Sequence, residues 1–323
     1  MESFTKVQLN DWQLSLLTGA AFGAQVKIAS SKELTAGYFN TAYDLELSDG
    51  RSVILKVAPN PETETLSYEK DIMRAEVEAL RLVRAAGGVP VPEVYSYDDS
   101  LQLIPCPYFF MEKIAGQPYN EVKESLTEEQ RYSIEYELGR YQRRINAIEG
   151  LAFGLFGKEP DGNGRTWRET FRSMLLNVLQ DAARLEARLP AGQQEIEQVL
   201  ELYLPALDEV TQPRLVHWDL WGGNLFVQDG VIVSIIDWER AMWGDVLLEY
   251  YFRHFEGSEA FYEGYGSAFT SRNELLRKQL YDLYLDLILV IECYSRQYKD
   301  ENHINWVHDN LAESWTRFTA LVL

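Results

Sequence analysis

Leu215-Val216-His217-Trp218-Asp219-Leu220-Trp221-Gly222-Gly223-Asn224-Leu225-Phe226-Val227 reads as a strand end, a polar loop and a second short strand. A third apolar run closes on Ile235-Ile236-Asp237-Trp238-Glu239. The stretch sets a carboxylate, a carboxamide and a second carboxylate around two apolar runs. Phosphoryl transfer needs such a set: one group to orient the attacking hydroxyl, and two oxygen-bearing groups to hold Mg²⁺ against the phosphates. Asp219 suits the first role, although a lone loop aspartate is ordinarily a turn-former or cap. Asn224 offers a carboxamide oxygen to a metal; taken alone, beside Gly222 and Gly223, it reads as a turn residue. Asp237 stands at a strand end, where a carboxylate reaches a cleft mouth; its alternative is an N-cap. His217 reads as a residue that fixes the loop rather than a catalytic one.

Working towards the N-terminus, Val53-Ile54-Leu55-Lys56-Val57-Ala58 flanks a lysine with apolar strand residues, a solvated edge-strand lysine being the alternative. A lysine so flanked needs a polar partner, and polyphosphate is a natural one. Glu76, on the helix that follows, is positioned to pair with it, with Glu78 as a competitor. The surrounding pattern gives strands at 26–35, 41–47, 51–58, 94–97 and 108–113, with Ser48-Asp49-Gly50 as a hairpin turn. A helix over 66–86 ends at Gly87-Gly88. A helix over 8–23 precedes the first strand. The order β-β-β-α-β-β predicts an antiparallel sheet with one packed helix. The turn from Gly37 to Asn40 could cover phosphates or be a plain hairpin loop.

After Gly116-Gln117-Pro118 the pattern turns helical. Thr127 and Gln130 form a capping box at the head of a helix to Ile148, and further helices span 166–189, 193–207 and most of 246–323. The reading is therefore an α+β chain divided into residues 1–113 and 114–323.

The formal charge of −20, from 50 acids and 30 bases, argues against a nucleic-acid partner and against anionic membranes. No secretory leader and no run long enough to span a bilayer is legible, so a cytoplasmic protein is expected. Cys106 and Cys293 give neither a disulfide framework nor zinc spacing. Residues 245–323 carry 13 acids and 7 bases. A cationic small-molecule acceptor is therefore one expectation, with Glu239, Asp245, Glu249 and Glu256 as candidates for its ammonium groups. Caps and solvated faces are the alternative.

His-x-Asp-x4-Asn followed by Ile-Asp-Trp, with a strand lysine and a helix glutamate upstream, resembles the aminoglycoside phosphotransferase family of protein-kinase-like small-molecule kinases, related to choline and fructosamine kinases. The resemblance implies a two-lobe fold, a β-sheet lobe over a mostly helical one, with ATP and Mg²⁺ between. It implies that Asp219 is the catalytic aspartate, that Asn224 and Asp237 are the metal ligands, and that Lys56, oriented by Glu76, holds the ATP phosphates. It also implies a hinge at Met111–Ile114. Glu112 and Ile114 would meet the adenine through their backbones, Phe110 and Met111 would wall its pocket, and Asn40 would lie near the phosphates. Trp218 stands where the family often has glycine, and with Trp221 it would shape the acceptor side. Asp237 is followed by tryptophan, and Gly244-Asp245 comes too soon to leave room for a peptide-holding activation segment, so a protein kinase fits poorly. The expected function is transfer of a γ-phosphate to a hydroxyl of a small molecule, an aminoglycoside or other amino sugar. A metabolite kinase of the fructosamine or choline type is the alternative. A catalytically inactive nucleotide-binding protein is a third reading, opposed by the intact set of Lys56, Asp219, Asn224 and Asp237.

Overall fold

The computed structural model describes residues 6–35, 39–156, 165–253 and 258–320. Helix α1 (Asp11–Phe22) is capped by Asn10, whose side chain accepts from Gln13 N–H while Gln13 returns a bond to the Asn10 backbone. Five strands follow, β1 (Ile28–Leu34), β2 (Thr41–Leu47), β3 (Ser52–Val57), β4 (Val94–Asp98) and β5 (Tyr108–Glu112), with α2 (Ile72–Ala86) between β3 and β4. They form one antiparallel sheet in the order β1-β2-β3-β5-β4. β3 lies at the centre, with Lys56 opposite Ala42 on β2 and Phe109 on β5.

Alternation on β3 decides what each face does. Val53, Leu55 and Val57 join Tyr43, Leu45, Tyr108, Phe110 and residues of α1 in one apolar core. Ile54 and Lys56 point the other way, towards α2, which buries Val77, Leu80 and Val83. The helix begins at Ile72 rather than near Leu66. Leu66 and Tyr68 are buried, but in a turn closed by Glu69, whose N–H bonds Leu66 O and whose carboxylate accepts Leu66 N–H. Asp71, in the left-handed region at φ 62°, separates that turn from the helix.

The remainder is mostly helical: α3 (Tyr119–Val122), α4 (Glu128–Asn146), α5 (Trp167–Arg184), α6 (Gln193–Tyr203), α7 (Glu259–Tyr265), α8 (Arg272–Ser295) and α9 (Glu301–Ala320). The Thr127–Gln130 capping box forms as the sequence reads. Two small sheets carry the motif. β6 (Gln117–Pro118), β9 (Leu225–Gln228) and β10 (Val231–Ile235) make one; β7 (Gly154–Leu155), β8 (Arg214–Val216) and β11 (Met242–Gly244) make the other. Asp229 and Gly230, both at positive φ, turn β9 into β10. Among the described residues no helix is long and apolar enough to cross a membrane.

Helices α4 and α7 meet backbone to backbone. A Cβ built at Gly139 would lie 2.2 Å from Phe261 O, and one at Gly264 would lie 2.0 Å from Tyr136 O. Gly139→Ala therefore forces the pair apart and should cost about 1–3 kcal/mol, as overpacking does. Calorimetry should show a lower Tm. An unchanged Tm would mean that the two helices do not pack this closely.

Candidate active site

The loop between β8 and β9 crosses from one small sheet to the other, so its shape must be fixed by side chains. His217, fully buried, does this from inside. Its Nε2–H donates to Ile236 O at 2.9 Å, and its Nδ1 accepts Asp219 N–H at 3.2 Å. Burial pushes its pKa down to about 4, so the ring stays neutral with the proton on Nε2. The ring rests against Trp238, 4.4 Å between centroids. Trp218 is held at φ 61°, an uncommon conformation for so bulky a residue. The strain turns two successive N–H groups onto one buried carboxylate: Glu249 accepts from His217 N–H and, at 3.1 Å, from Trp218 N–H. The Trp218 ring stacks on Tyr284, 5.4 Å away and nearly parallel. Arg253 donates to Leu220 O at 2.7 Å.

Asn224 donates from Nδ2 to Asp219 O at 2.8 Å and to Asp219 Oδ2 at 3.0 Å. Among the described residues its side-chain oxygen accepts no bond, so the carboxamide presents that oxygen outward. Ile236 N–H bonds Asn224 O at 3.0 Å, tying the loop to the end of β10. Trp221 lies over Gly223, where a Cβ would sit 2.3 Å from its ring. Enclosure pushes the Asp219 carboxyl up to about 7; the Arg240 guanidinium opposes this and Asp237 adds to it.

Asp237, at φ 65°, carries a side chain that meets the N-terminal sheet. Lys56 Nζ lies 2.8 Å from Asp237 Oδ1 and 2.6 Å from Glu76 Oε1. Burial opposes the ammonium, but Asp237, Glu76 and Glu239 together hold its pKa well above the ordinary lysine value. Asp237, though enclosed, is held below the usual carboxylate range chiefly by Lys56. Glu239 receives Asn40 Nδ2 at 2.9 Å, and burial beside Asp237 pushes its carboxyl up to about 8. Carboxylate oxygens of Glu76, Asp237 and Glu239 fall within 4.8 Å of one another. The cluster is a set of hard oxygen donors, with a lysine as its only cation among these contacts.

Lys56, Glu76, Asp237, Glu239 and Asn40 thus form one bonded group, joined to Asp219 and Asn224 through Ile236, while Glu78 pairs with Arg74 on the exposed side of α2. Other candidates lie elsewhere. Met111 shares the Lys56 face of the sheet, but Phe110 points to the opposite core and packs edge-on against Phe22 at 5.1 Å. Glu112 N–H is already bonded to Glu93 O at 2.8 Å, and Lys113, next to Ile114, pairs with Asp44 and Glu46. Asp245 is buried and accepts from Arg277 Nε at 2.8 Å and Tyr281 O–H at 2.9 Å, and Glu249 is committed to the loop N–H groups. Gly37, Tyr38 and Glu256 lie outside the described residues. A buried group that the sequence reading missed adjoins Arg240: Tyr68, Glu69, Glu292 and Arg296. Its signal was Glu292 and Arg296, one turn apart, directly after the apolar run Leu287–Ile291.

The fold and cleft define a protein-kinase-like small-molecule phosphotransferase. The model of the phosphotransferase enzyme family matches residues 30–278, and the chain belongs to that family. The structure is similar to that of a protein described as a fructosamine-3-kinase from Haemophilus somnus, with TM-score 0.67 and 18% identity over 94% of this chain and 97% of that one. A second so described, from Thermobifida fusca, gives 0.66 and 22% over 94% and 98%. A thermostable mutant of the aminoglycoside phosphotransferase APH(4)-Ia, in a ternary complex with ADP and hygromycin B, gives 0.66 and 18% over 94% and 97%. In sequence, a subtelomeric hrmA-associated cluster protein of Aspergillus fumigatus is 28% identical over 130 residues, 40% of this chain. The match spans only a quarter of that relative's length.

Glu249→Ala would leave the buried N–H groups of His217 and Trp218 without their acceptor. At about 1–3 kcal/mol for each unsatisfied group, the variant should unfold at clearly lower denaturant. A denaturation midpoint equal to that of the wild type would show that the loop does not depend on this carboxylate.

Proposed function

We propose that the chain transfers the γ-phosphoryl group of ATP, as its Mg²⁺ complex, to a hydroxyl group of a small molecule. The observation that carries the reading is Lys56, centred on the sheet and shared between Glu76 and Asp237, with the Asp219–Asn224 pair joined to Asp237 through Ile236. Residues 1–113 would hold the nucleotide and residues 114–323 the acceptor.

Asp219 would accept the hydrogen bond of the acceptor hydroxyl and take its proton as the new P–O bond forms. With a loose transition state, its main contribution is orientation of the nucleophile. Lys56 would leave Asp237 for phosphate oxygens while staying on Glu76. Met111 would line the base on the face it shares with Lys56, and the backbone of Glu112–Ile114 would edge it. Asn224, through its outward oxygen, and Asp237 fit a hard cation, and Glu239 stands close enough to join them or to tether Asn40. Mg²⁺, when bound there, would offset phosphate charge.

The acceptor is set by fewer acids than the charge of residues 245–323 suggests. Asp245 and Glu249 act through the groups they hold in place. Glu239, with Trp218 and Trp221 behind the loop, is what remains of the expected acceptor set. An amino sugar and a metabolite of the fructosamine or choline type are both acceptors to test. Solved relatives of both sorts, near 0.66 in TM-score, do not separate them.

An ADP-release screen across aminoglycosides, amino sugars, choline-like amines and ketoamines should find one class that turns over. Asp219→Ala should lose transfer by at least about 10³-fold yet keep the rise in Tm with ATP–Mg²⁺. Asp237→Ala should lose the Mg²⁺-dependent part of that rise. A Tm unmoved by any Mg²⁺-nucleotide would reject the reading. Because Asp219 must be deprotonated to accept the hydroxyl proton, and its pKa is pushed up to about 7, the rate should climb as pH rises through that value. A rate flat from pH 5 to 8 would exclude Asp219 as the proton acceptor.

A further inference from the structure

Helix α8 runs beyond residue 278, where the family match ends. Its last turns carry a buried carboxylate that collects donors from three places. Glu292 Oε1 accepts the Tyr68 hydroxyl, Arg240 Nη2 at 2.6 Å and Arg296 Nη2 at 3.3 Å. Arg296 also donates to Glu69 Oε1 from Nη2 at 2.5 Å and from Nε at 3.2 Å. Its guanidinium lies 5.3 Å from the Phe39 ring centroid. All of these side chains are at most a tenth exposed.

The three attachment points are the elements that hold the two ends of Lys56. Tyr68 and Glu69 form the turn that leads into α2, and α2 carries Glu76. Arg240 belongs to the turn immediately after Asp237. Phe39 adjoins Asn40, which is bonded to Glu239. The turn at 66–69 is also tied to α5, through Ser67 N–H to Asp181 at 2.7 Å, and Glu64 pairs with Arg184. A wholly buried set of charges adds little net stability over apolar packing of the same volume, because desolvation offsets the attraction. What it does fix is geometry, since each partner has one position that satisfies the others.

We propose that Glu292 and Arg296 are positioning residues for phosphoryl transfer. Acting through Tyr68, Glu69 and Arg240, they hold α2 and the turn after Asp237 in the registration that keeps Lys56 between its two carboxylates. The assignment rests on the transferase reading. It gives α8 a part in the chemistry although α8 contributes no residue to the cleft itself.

The test uses the full chain with Glu292→Gln, Arg296→Lys and Tyr68→Phe, the last removing a single hydroxyl. Three quantities are measured: Tm with and without ATP–Mg²⁺, kcat and KM for nucleotide in ADP release, and the rate at which an acyl-phosphate ATP probe labels Lys56, read by mass spectrometry. The expected result for Glu292→Gln is a kcat at least tenfold lower, a nucleotide KM within about threefold of wild type, and slower Lys56 labelling. Tyr68→Phe should show the same pattern in smaller degree, and the double variant should be no worse than Glu292→Gln alone. Folded Glu292→Gln and Tyr68→Phe proteins with wild-type kcat and labelling would overturn the proposal and leave the transferase reading standing. So would a rate loss that tracks a lowered Tm and disappears at lower assay temperature. A wild-type protein that neither binds nucleotide nor labels at Lys56 would remove the transferase reading, and this assignment with it.

Discussion

One ammonium group sets the terms for the cleft. Lys56 rises from the central strand of a sheet whose other face is apolar core, and its side chain is only 12% exposed. It is shared by Glu76, 20 residues away, and Asp237, 181 residues away. Taking a charge out of water costs several kcal/mol, and the pairing offsets that cost while contributing little net stability. The lysine therefore acts as a gauge. It is satisfied only when α2 and the end of β10 stand at the right distance from β3. Three carboxylates crowd around it, and one lysine cannot neutralise them. Burial beside Asp237 pushes the Glu239 carboxyl up to about 8, so the crowding is relieved by a proton held there near neutral pH.

The loop that carries Asp219 obeys a different constraint. It links two separate sheets, and it must turn sharply at Trp218. Left-handed backbone at a tryptophan is costly, of order 1–3 kcal/mol. Glu249 makes the turn stable by accepting both N–H groups that it exposes to the interior. His217 then reaches from the loop to Ile236 and fixes the distance between Asp219 and Asp237. A bulky ring at this position is tolerated because Tyr284 offers it a parallel face. A residue from α8 thus helps to shape the loop on one side, and Glu292 meets Arg240 on the other.

The convergence of these side chains was legible because most of them are local in sequence. Asp219, Asn224 and Asp237 lie on one hairpin-like segment, and Lys56 stands out against apolar neighbours. The strand order followed from alternation and turn residues. The failures have physical sources. Phe110 and Met111 cannot both wall the cleft, because neighbours on a strand face opposite ways; that period-two signal was available. Asp245 and Glu249 look like exposed acids only while Arg277, Tyr281 and the N–H of Trp218 are unknown as partners. No spacing in the chain reveals such pairings. The helix predicted from Leu66 begins later because burial periodicity reports which side chains are inside, not which backbone bonds hold them there.

Net charge illustrates the same distinction between composition and site. The chain carries −20, yet acids near the cleft are largely matched by partners: Asp245 by Arg277, Glu292 by Arg240 and Arg296, Glu69 by Arg296. Screening at physiological salt confines the influence of the remaining surface acids to about 8 Å. An acceptor in the cleft would therefore respond to Glu239, Asp219 and Arg240 far more than to the overall balance. The acidic composition that first suggested a cationic acceptor is thus weak evidence for one.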